Sequence, residues 1–254
     1  VGTLANIQVY NNYIHGLWGQ TTAHTTAYIF VEDTLASTPI YIFNNVFVQN
    51  DDLESFPTGM LVLRSVGNDA YVLNNTMLGS SVLGTGWGNN VLCPQDYGGT
   101  PNLFLKNNIF TYSAAFATNC IIGTGSNYND YYLASDWGTY GTYAAYRTAG
   151  FDADGITSNP SLDGSYKPQA GSPVIAAGVD LSGTLAALGF DKAGVVRGAT
   201  PDIGAYQYAA GGAVTVRLMA AIMIMLLLAV LLSQAVQKHA GSMEPEAAYV
   251  ERER

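Results

Sequence analysis

The sequence predicts an all-β fold, a right-handed parallel β-helix (solenoid) with a C-terminal cap, followed by a single hydrophobic transmembrane helix. Three observations predict it: a repeat of 30 to 33 residues, a composition rich in turn-forming residues, and one long apolar run near the C-terminus. Only 11% of the 254 residues are charged, against about a quarter in a typical soluble domain. Glycine, asparagine, serine, threonine and tyrosine fill the polar positions, which favours many short strands over a helical bundle.

The repeat is a short apolar strand that ends in Asn-Asn and resumes at once as a second strand. The pairs are Asn11-Asn12, Asn44-Asn45, Asn74-Asn75 and Asn107-Asn108, at intervals of 33, 30 and 33 residues. Asparagine tolerates the left-handed backbone of a sharp corner, and its amide can hydrogen-bond to the coils above and below. We therefore expect these eight residues to form a structural ladder. Ordinary hairpins are the alternative, but they would favour Asn-Gly or Asp-Gly corners.

Two C-terminal stretches carry a family resemblance: NPSLDGSYKPQAGSPVIAAG at residues 159–178 and DKAGVVRGATPDIGAYQY at residues 191–208. The repeat resembles the right-handed parallel β-helix superfamily that includes pectate lyases and polygalacturonases. The two stretches resemble the C-terminal end of bacterial choice-of-anchor Q surface proteins, and Pro-Asp-Ile-Gly-Ala-Tyr is the most specific part. Together the matches cover roughly residues 5–208, and they imply a β-helix terminus followed by an envelope anchor.

Two positions depart from that pattern. Ala176 stands where the family usually has Asp, and Gln207 where it often has Glu. A calcium or ligand role that those acids would serve elsewhere is therefore in doubt at these positions. We interpret the segment as a cap over the last coil, with Arg197 and Asp202 as a structural pair.

The apolar run covers residues 218–236, which are 19 residues without a charge. About 20 apolar residues span the hydrocarbon core of a bilayer, and this run is apolar on all sides rather than along one stripe. A buried capping helix is the alternative. Lys238, Arg252 and Arg254 outnumber Arg217 across the run, which predicts an inside tail and an outside β-helix. We therefore expect a membrane-anchored protein at the cell surface or outside the cell.

These features predict five parts of the chain. They are the β-helix coils at residues 1–150, the cap at 151–209, a linker at 210–217, the transmembrane helix at 218–236 and a polar tail at 237–254. Neither a signal peptide nor an N-terminal cap is recognisable before the first strand. We therefore expect the coils to be truncated at their N-terminal end.

Charged residues follow the strand that lies between successive Asn corners. Glu32 and Asp33 follow its first copy, Arg64 the second, and Asp96 comes shortly after the third. On a β-helix such positions stack about 4.8 Å apart per coil, and the resemblance implies that this strand exit carries the catalytic groups. Paired carboxylates could hydrolyse a glycosidic bond. Arg64 could abstract a proton as in a lyase, but its high pKa requires a specially arranged site.

Residues near this column are candidates for substrate binding. Trp18 and Trp87 would stack on sugar rings, and Asp51 and Asp52 would wall the column from a loop after an Asn corner. The same groups could instead bind sugar or calcium without catalysis, or form an exposed salt-bridge ladder worth about 0–1 kcal/mol per pair.

The leading hypothesis is a surface protein that binds polysaccharide or a cell-surface glycan. A carbohydrate-active enzyme, either a polysaccharide lyase or a glycoside hydrolase, is one alternative, and a non-catalytic structural adhesin or stalk is another. No cofactor is expected, with calcium as the exception, and no metal site is predicted because His15 and His24 lack the spacing of a ligand pair.

Charge and cysteine content narrow the function further. The net charge of −9, a pI near 4.5 and the lack of a Lys/Arg cluster argue against nucleic acid as a partner. Cys93 and Cys120 are too few for a disulfide framework. They fall on equivalent strands of adjacent coils with a shift of about two residues, which strains disulfide geometry. Two alternatives therefore stay open for these cysteines: a pair of stacked free thiols, or a disulfide bond.

Overall fold

The computed structural model describes residues 7–15, 27–32, 38–48, 59–64, 69–79, 91–92, 102–112, 121–134 and 137–209. Within these ranges the chain forms thirteen short strands. They are β1 (Gln8–Tyr10), β2 (Tyr13–His15), β3 (Ala27–Glu32), β4 (Ile40–Phe43), β5 (Val46–Val48), β6 (Gly59–Arg64), β7 (Ala70–Leu73), β8 (Thr76–Leu78), β9 (Val91–Leu92), β10 (Asn102–Lys106), β11 (Ile109–Thr111), β12 (Ile121–Ile122) and β13 (Asp130–Tyr132).

The strands form three parallel sheets. Sheet A has the order β1-β4-β7-β10-β12, sheet B the order β2-β5-β8-β11-β13, and sheet C the order β3-β6-β9. Each coil adds one strand to sheets A and B, and the first three coils also add one to sheet C. Neighbouring coils are in register, so that Ile42 of β4 lies between Val9 of β1 and Val72 of β7. This arrangement is a parallel β-helix, and its right-handed sense stays a prediction.

Helix is scarce in the described residues. The one α-helix among them, α1 (Tyr143–Thr148), has six residues, and 3₁₀ turns cover Gly138–Tyr140 and Ala186–Gly189. No helix in these ranges is long and apolar enough to cross a membrane. The prediction of a transmembrane helix and of the membrane anchor built on it is therefore wrong for this fold. The prediction was based only on the length of the apolar run and its lack of charge, which identify a candidate membrane span but do not establish a helix. Residues 218–236 themselves lie outside the described ranges.

The interior of the coils is filled by the side chains that alternate inward. In sheet B one such column runs from Phe47 through Met77 and Phe110 to Tyr131, all of them buried. The rings of Phe110 and Tyr131 stack with their centroids 5.2 Å apart. Beyond Tyr131, the buried residues Trp137 and Tyr146 pack edge-on against its ring. The region from Trp137 to α1 therefore closes the last coil.

The corner between sheets A and B contains a continuous hydrogen-bonded ladder. The first asparagine of each pair has a left-handed backbone, with φ between 53° and 59°. The second asparagine of each pair donates its side-chain Nδ2 to Oδ1 of the next: Asn12 to Asn45 at 3.0 Å, Asn45 to Asn75 at 3.1 Å, and Asn75 to Asn108 at 3.1 Å. Two further rungs follow, from Asn108 to Asn129 at 2.9 Å and from Asn129 to Asp152 at 2.8 Å. Because a carboxylate only accepts, Asp152 ends the ladder without leaving a donor unpaired.

The C-terminal segment, defined as residues 156–208, lies along the outside of this corner. Val179 bonds to the side chain of Asn107, and the carbonyl oxygen of Phe190 accepts from Asn44 at 2.9 Å. Lys192 Nζ reaches the carbonyl oxygen of Asn11 in the first coil at 2.5 Å. The segment was expected to cap the last coil. Its hydrogen bonds instead run from the fourth coil back to the first, because the side-chain amides of Asn107 and Asn44 and the carbonyl oxygen of Asn11 give it polar partners.

Two apolar clusters attach this segment on either side of the corner. On sheet A, Phe43 and Leu73 pack with Leu181 and Leu188. On sheet B, Ile109 packs with Val174 and Ile203. Residues 1–208 accordingly form one compact unit, and Ala209–Arg254 are a second.

Replacing Gly204 by alanine should loosen the segment from sheet B. Gly204 has φ +101°, and an added Cβ would lie 2.6 Å from Ile109 Cδ1 and 2.9 Å from Thr76 Oγ1. Left-handed strain and overpacking together should cost about 2–4 kcal/mol, measured by urea denaturation. Gly164→Ala is the matched control, since a Cβ there meets nothing within 4 Å. Equal stability of the two variants would contradict this packing.

Candidate functional site

The predicted catalytic column is only partly described. Glu32 ends β3 and Arg64 ends β6, and their backbones are direct partners in the parallel register of sheet C. The next coil continues this register, with Val62 opposite Leu92. The side chains of Glu32 and Arg64 lie outside the described part of the structure, as do Asp33 and Asp96 altogether. Catalysis by this column therefore stays a prediction.

The other residues predicted for binding or redox chemistry also lie outside the described ranges. They are Trp18, Trp87, Asp51, Asp52, Cys93 and Cys120. In the ranges that are described, no group of three or more His, Cys, Asp or Glu side chains could hold a metal ion. The expectations that no cofactor is needed, and that calcium is the exception, stay predictions.

The described structure brings together a group of aromatic residues that the sequence did not single out. We call it the tyrosine surface, and its members are Tyr13, His15, Tyr166, Lys167 and Tyr206. Tyr13 and His15 belong to β2, the edge strand of sheet B, where Ile14 between them packs against the core. Because side chains alternate along a strand, Tyr13 and His15 share the outer face.

Tyr13 lies at the centre of this surface and is 47% exposed. Its ring stacks on the imidazole of His15 with centroids 4.6 Å apart and approaches the ring of Tyr166 at 5.5 Å. The hydroxyl groups of Tyr13 and Tyr166 are 3.0 Å apart and share a hydrogen bond. The first coil and the C-terminal segment thus build the surface jointly, from positions 153 residues apart.

A tight turn holds Tyr166 in place. Asp163 Oδ1 accepts from the backbone N–H groups of Ser165 at 2.8 Å and Lys167 at 3.0 Å. Tyr166 itself has φ +64°, an uncommon conformation for a bulky residue. Lys167 Nζ lies 5.4 Å from the centre of the Tyr206 ring, within the range of a cation–π contact. Since the turn is hydrogen-bonded internally, Tyr166 is presented at a defined position.

Two phenols of this surface, those of Tyr166 and Tyr206, have raised pKa values and are therefore neutral at physiological pH. The hydrogen bond between the hydroxyl groups of Tyr166 and Tyr13 raises the pKa of Tyr166 to about 12, and burial and the electrostatic interaction with Tyr13 add to this rise. Burial raises the pKa of Tyr206, and the nearby charges of Asp191 and Asp163 add to the effect. Neutral phenols can donate and accept hydrogen bonds, and their rings offer apolar contact. The arrangement therefore suits binding of a polar ligand rather than acid–base catalysis.

Comparisons with known proteins do not assign the chain to a family. No family model matches it, and no curated protein or solved structure is significantly similar to it. The resemblance to pectate-lyase-like β-helices and to choice-of-anchor Q proteins therefore stays a prediction.

The tyrosine surface was missed because the sequence reasoning looked for charges at strand exits. One local signal was present, the alternation Tyr13-Ile14-His15 directly after an Asn corner. The contribution of Tyr166 had no such signal, because it depends on where the C-terminal segment packs.

Proposed function

We propose that this chain binds polysaccharide and that the tyrosine surface is the contact region. The observation that carries the proposal is the exposed cluster of Tyr13, His15 and Tyr166 with its shared hydroxyl hydrogen bond. Tyrosine combines a large, rigid contact area with a hydroxyl group at low conformational entropy cost. A sugar chain offers the matching features, which are hydroxyl groups and C–H faces.

Charge favours a neutral polysaccharide over an acidic one. The chain carries a net charge of −9, and like charges across an interface oppose association. Lys167 is the basic member of the tyrosine surface, and it already faces the Tyr206 ring. We therefore expect neutral glycans to bind more tightly than polyuronates.

The first test is binding of the full chain to soluble neutral polysaccharides by affinity electrophoresis, with Tyr166→Ala compared with wild type. We expect Tyr166→Ala to weaken binding about tenfold, because it removes a ring and a hydroxyl group together; losses of 1–2 kcal/mol are usual for such a contact residue. Tyr112→Ala is the control, since Tyr112 is a tyrosine with the same left-handed backbone, φ +58°, but it pairs with Tyr132 at the far end of sheet B. Loss of the same size in both variants, or no binding by wild type to any neutral polysaccharide, would reject the proposal.

A carbohydrate-active enzyme is the second candidate. The register that pairs Glu32 with Arg64 supports it, because in-register positions of parallel strands stack on adjacent coils. Release of reducing ends or of unsaturated products from polysaccharide by the wild-type chain would favour this candidate over binding alone.

A further inference from the structure

Asp130 is an acid buried between the β-helix and the C-terminal segment. It begins β13, where its backbone pairs with Ile109 of β11 on one side and with Ile156 on the other. The residue is 0% exposed. Among the described residues, neither oxygen of its carboxyl group has a hydrogen-bond partner.

The register shows what surrounds this carboxyl group. Residues that pair on neighbouring parallel strands point to the same face of the sheet. Ile109 points outward into the cluster with Val174 and Ile203, and Ile156 packs against that cluster as well. Asp130 therefore faces the apolar contact that attaches the C-terminal segment to sheet B.

Asp152, a second buried acid, differs from Asp130 in that its carboxyl group accepts hydrogen bonds. Asp152 accepts from the backbone N–H of Asn129 at 3.0 Å and from its side chain at 2.8 Å. Burial raises the pKa of Asp152, and the hydrogen bonds from Asn129 and Tyr131 oppose that rise. Asp130 lacks such bonds, so that burial, with the charge of Asp152 adding to it, raises the pKa of Asp130 to about 8.

Among the described residues, no cation lowers the pKa of Asp130. The charge of Asp152, in the turn after α1, acts on Asp130, and Asp130 in turn acts on Tyr143 of α1. Arg147, also on α1, acts on Asp152 and on Tyr143. On its own sheet and on the C-terminal segment, the register neighbours of Asp130 are isoleucines.

We propose that Asp130 is a proton-controlled latch: its neutral form lets residues 156–178 pack on β11 and β13, and its ionisation loosens them. The unfolded group loses its proton near its ordinary pKa, whereas the folded group keeps it to about pH 8. Stability from a raised carboxyl pKa is complete below the ordinary value and is lost as pH rises through the folded value. The latch therefore closes in acid and opens in mild alkali.

Amide hydrogen exchange of the full chain tests this latch, with rates corrected for the intrinsic effect of pH. In the wild type, protection of residues 156–178 should fall about tenfold for each pH unit between pH 6 and 8, because opening releases one proton. Protection of residues 40–48 should stay nearly constant. Asp130→Asn should remove the pH dependence of residues 156–178.

The control is Asp154→Asn, since Asp154 is exposed and its carboxyl group accepts a hydrogen bond from the side chain of Asn127; this variant should keep the wild-type dependence. An unchanged pH dependence in Asp130→Asn, or a uniform loss of protection in all coils, would overturn the latch. If Asp130→Asn does not fold, the titration of Asp130 in the wild type can be followed instead, by NMR of its carboxyl carbon. Titration near pH 8 supports the latch, and titration near pH 4 overturns it.

Discussion

Replacing Asn75 by alanine should destabilise the fold by about 3–5 kcal/mol, because several buried polar groups lose their partners at once. Asn75 Nδ2 donates to the carbonyl oxygens of Ile42 and Leu73 and to Asn108 Oδ1, at 2.8, 3.0 and 3.1 Å. Its Oδ1 accepts from both the backbone and the side chain of Asn45. The site is fully buried, so water cannot replace these bonds.

Asn12→Ala is the matched control for this effect. Asn12 holds the same place in the ladder and donates to Asn45 Oδ1, but it lies in the first described coil and is exposed. Since water can reach the groups that lose their hydrogen bonds to Asn12, we expect stability to fall by about 1 kcal/mol or less. Urea denaturation followed by circular dichroism measures both. If the ladder stabilises the fold, Asn75→Ala must lose more stability than Asn12→Ala. Equal losses in the two variants would show that the ladder does not stabilise the fold.

Replacing Arg197 by methionine should cost about 3–5 kcal/mol and release the C-terminal segment from the Asn corner. The guanidinium group is buried and makes five hydrogen bonds. Their acceptors are Phe190 O at 3.4 Å, Asp202 O at 3.0 Å, Gln207 Oε1 at 3.1 Å, Gly204 O at 2.7 Å and Asn44 Oδ1 at 3.3 Å. The last of these ties the segment to the second coil. Burial lowers the pKa of Arg197 to about 10, while the charges of Asp191 and Asp202 oppose the change, so that the group stays charged at neutral pH.

Arg147→Met provides the comparison, because Arg147 is exposed and donates to the carbonyl oxygen of Ala153 at 2.6 Å. We expect it to change stability by less than about 1 kcal/mol. Limited proteolysis should cut residues 156–208 faster in Arg197→Met than in Arg147→Met. If both variants resist protease like the wild type, Arg197 does not hold the segment.

Local chemistry allowed the corners to be predicted from sequence. A left-handed residue is needed at each bend, and asparagine adopts that conformation more readily than most residues. The fifth corner was missed because Tyr128 takes that position with φ +62°, followed by Asn129. The ladder's end at Asp152 was missed as well, since the residue lies beyond the repeat and adopts its place only through tertiary packing.

The course of the C-terminal segment could not be predicted from pattern alone. Arg197 and Asn44 are 153 residues apart, and no local rule brings them together. The expected pair of Arg197 and Asp202 does form a contact, but through the carbonyl oxygen of Asp202. The Asp202 carboxylate accepts instead from the backbone N–H groups of Ala176 and Tyr208.

Ala176 and Gln207, where the sequence departs from the pattern that it resembles, both have defined surroundings. Ala176 has φ +54°, a conformation that Asp and Asn adopt more readily than Ala. Gln207 Oε1 accepts from Arg197 and from the backbone N–H of Asp202, and a Glu oxygen could accept the same bonds. The site was predicted from charges at strand exits, whereas the tyrosine surface consists of four aromatic rings and one lysine.

The tyrosine surface depends on the packing of the C-terminal segment along the Asn corner, because that packing brings Tyr166 to Tyr13. Methyl NMR measures it directly on a chain labelled at isoleucine and valine methyl groups. We predict nuclear Overhauser contacts from Ile109 to Val174 and Ile203, which belong to one buried cluster. If Ile109 showed contacts only to residues of its neighbouring coils, the segment would lie elsewhere, and the tyrosine surface would not exist.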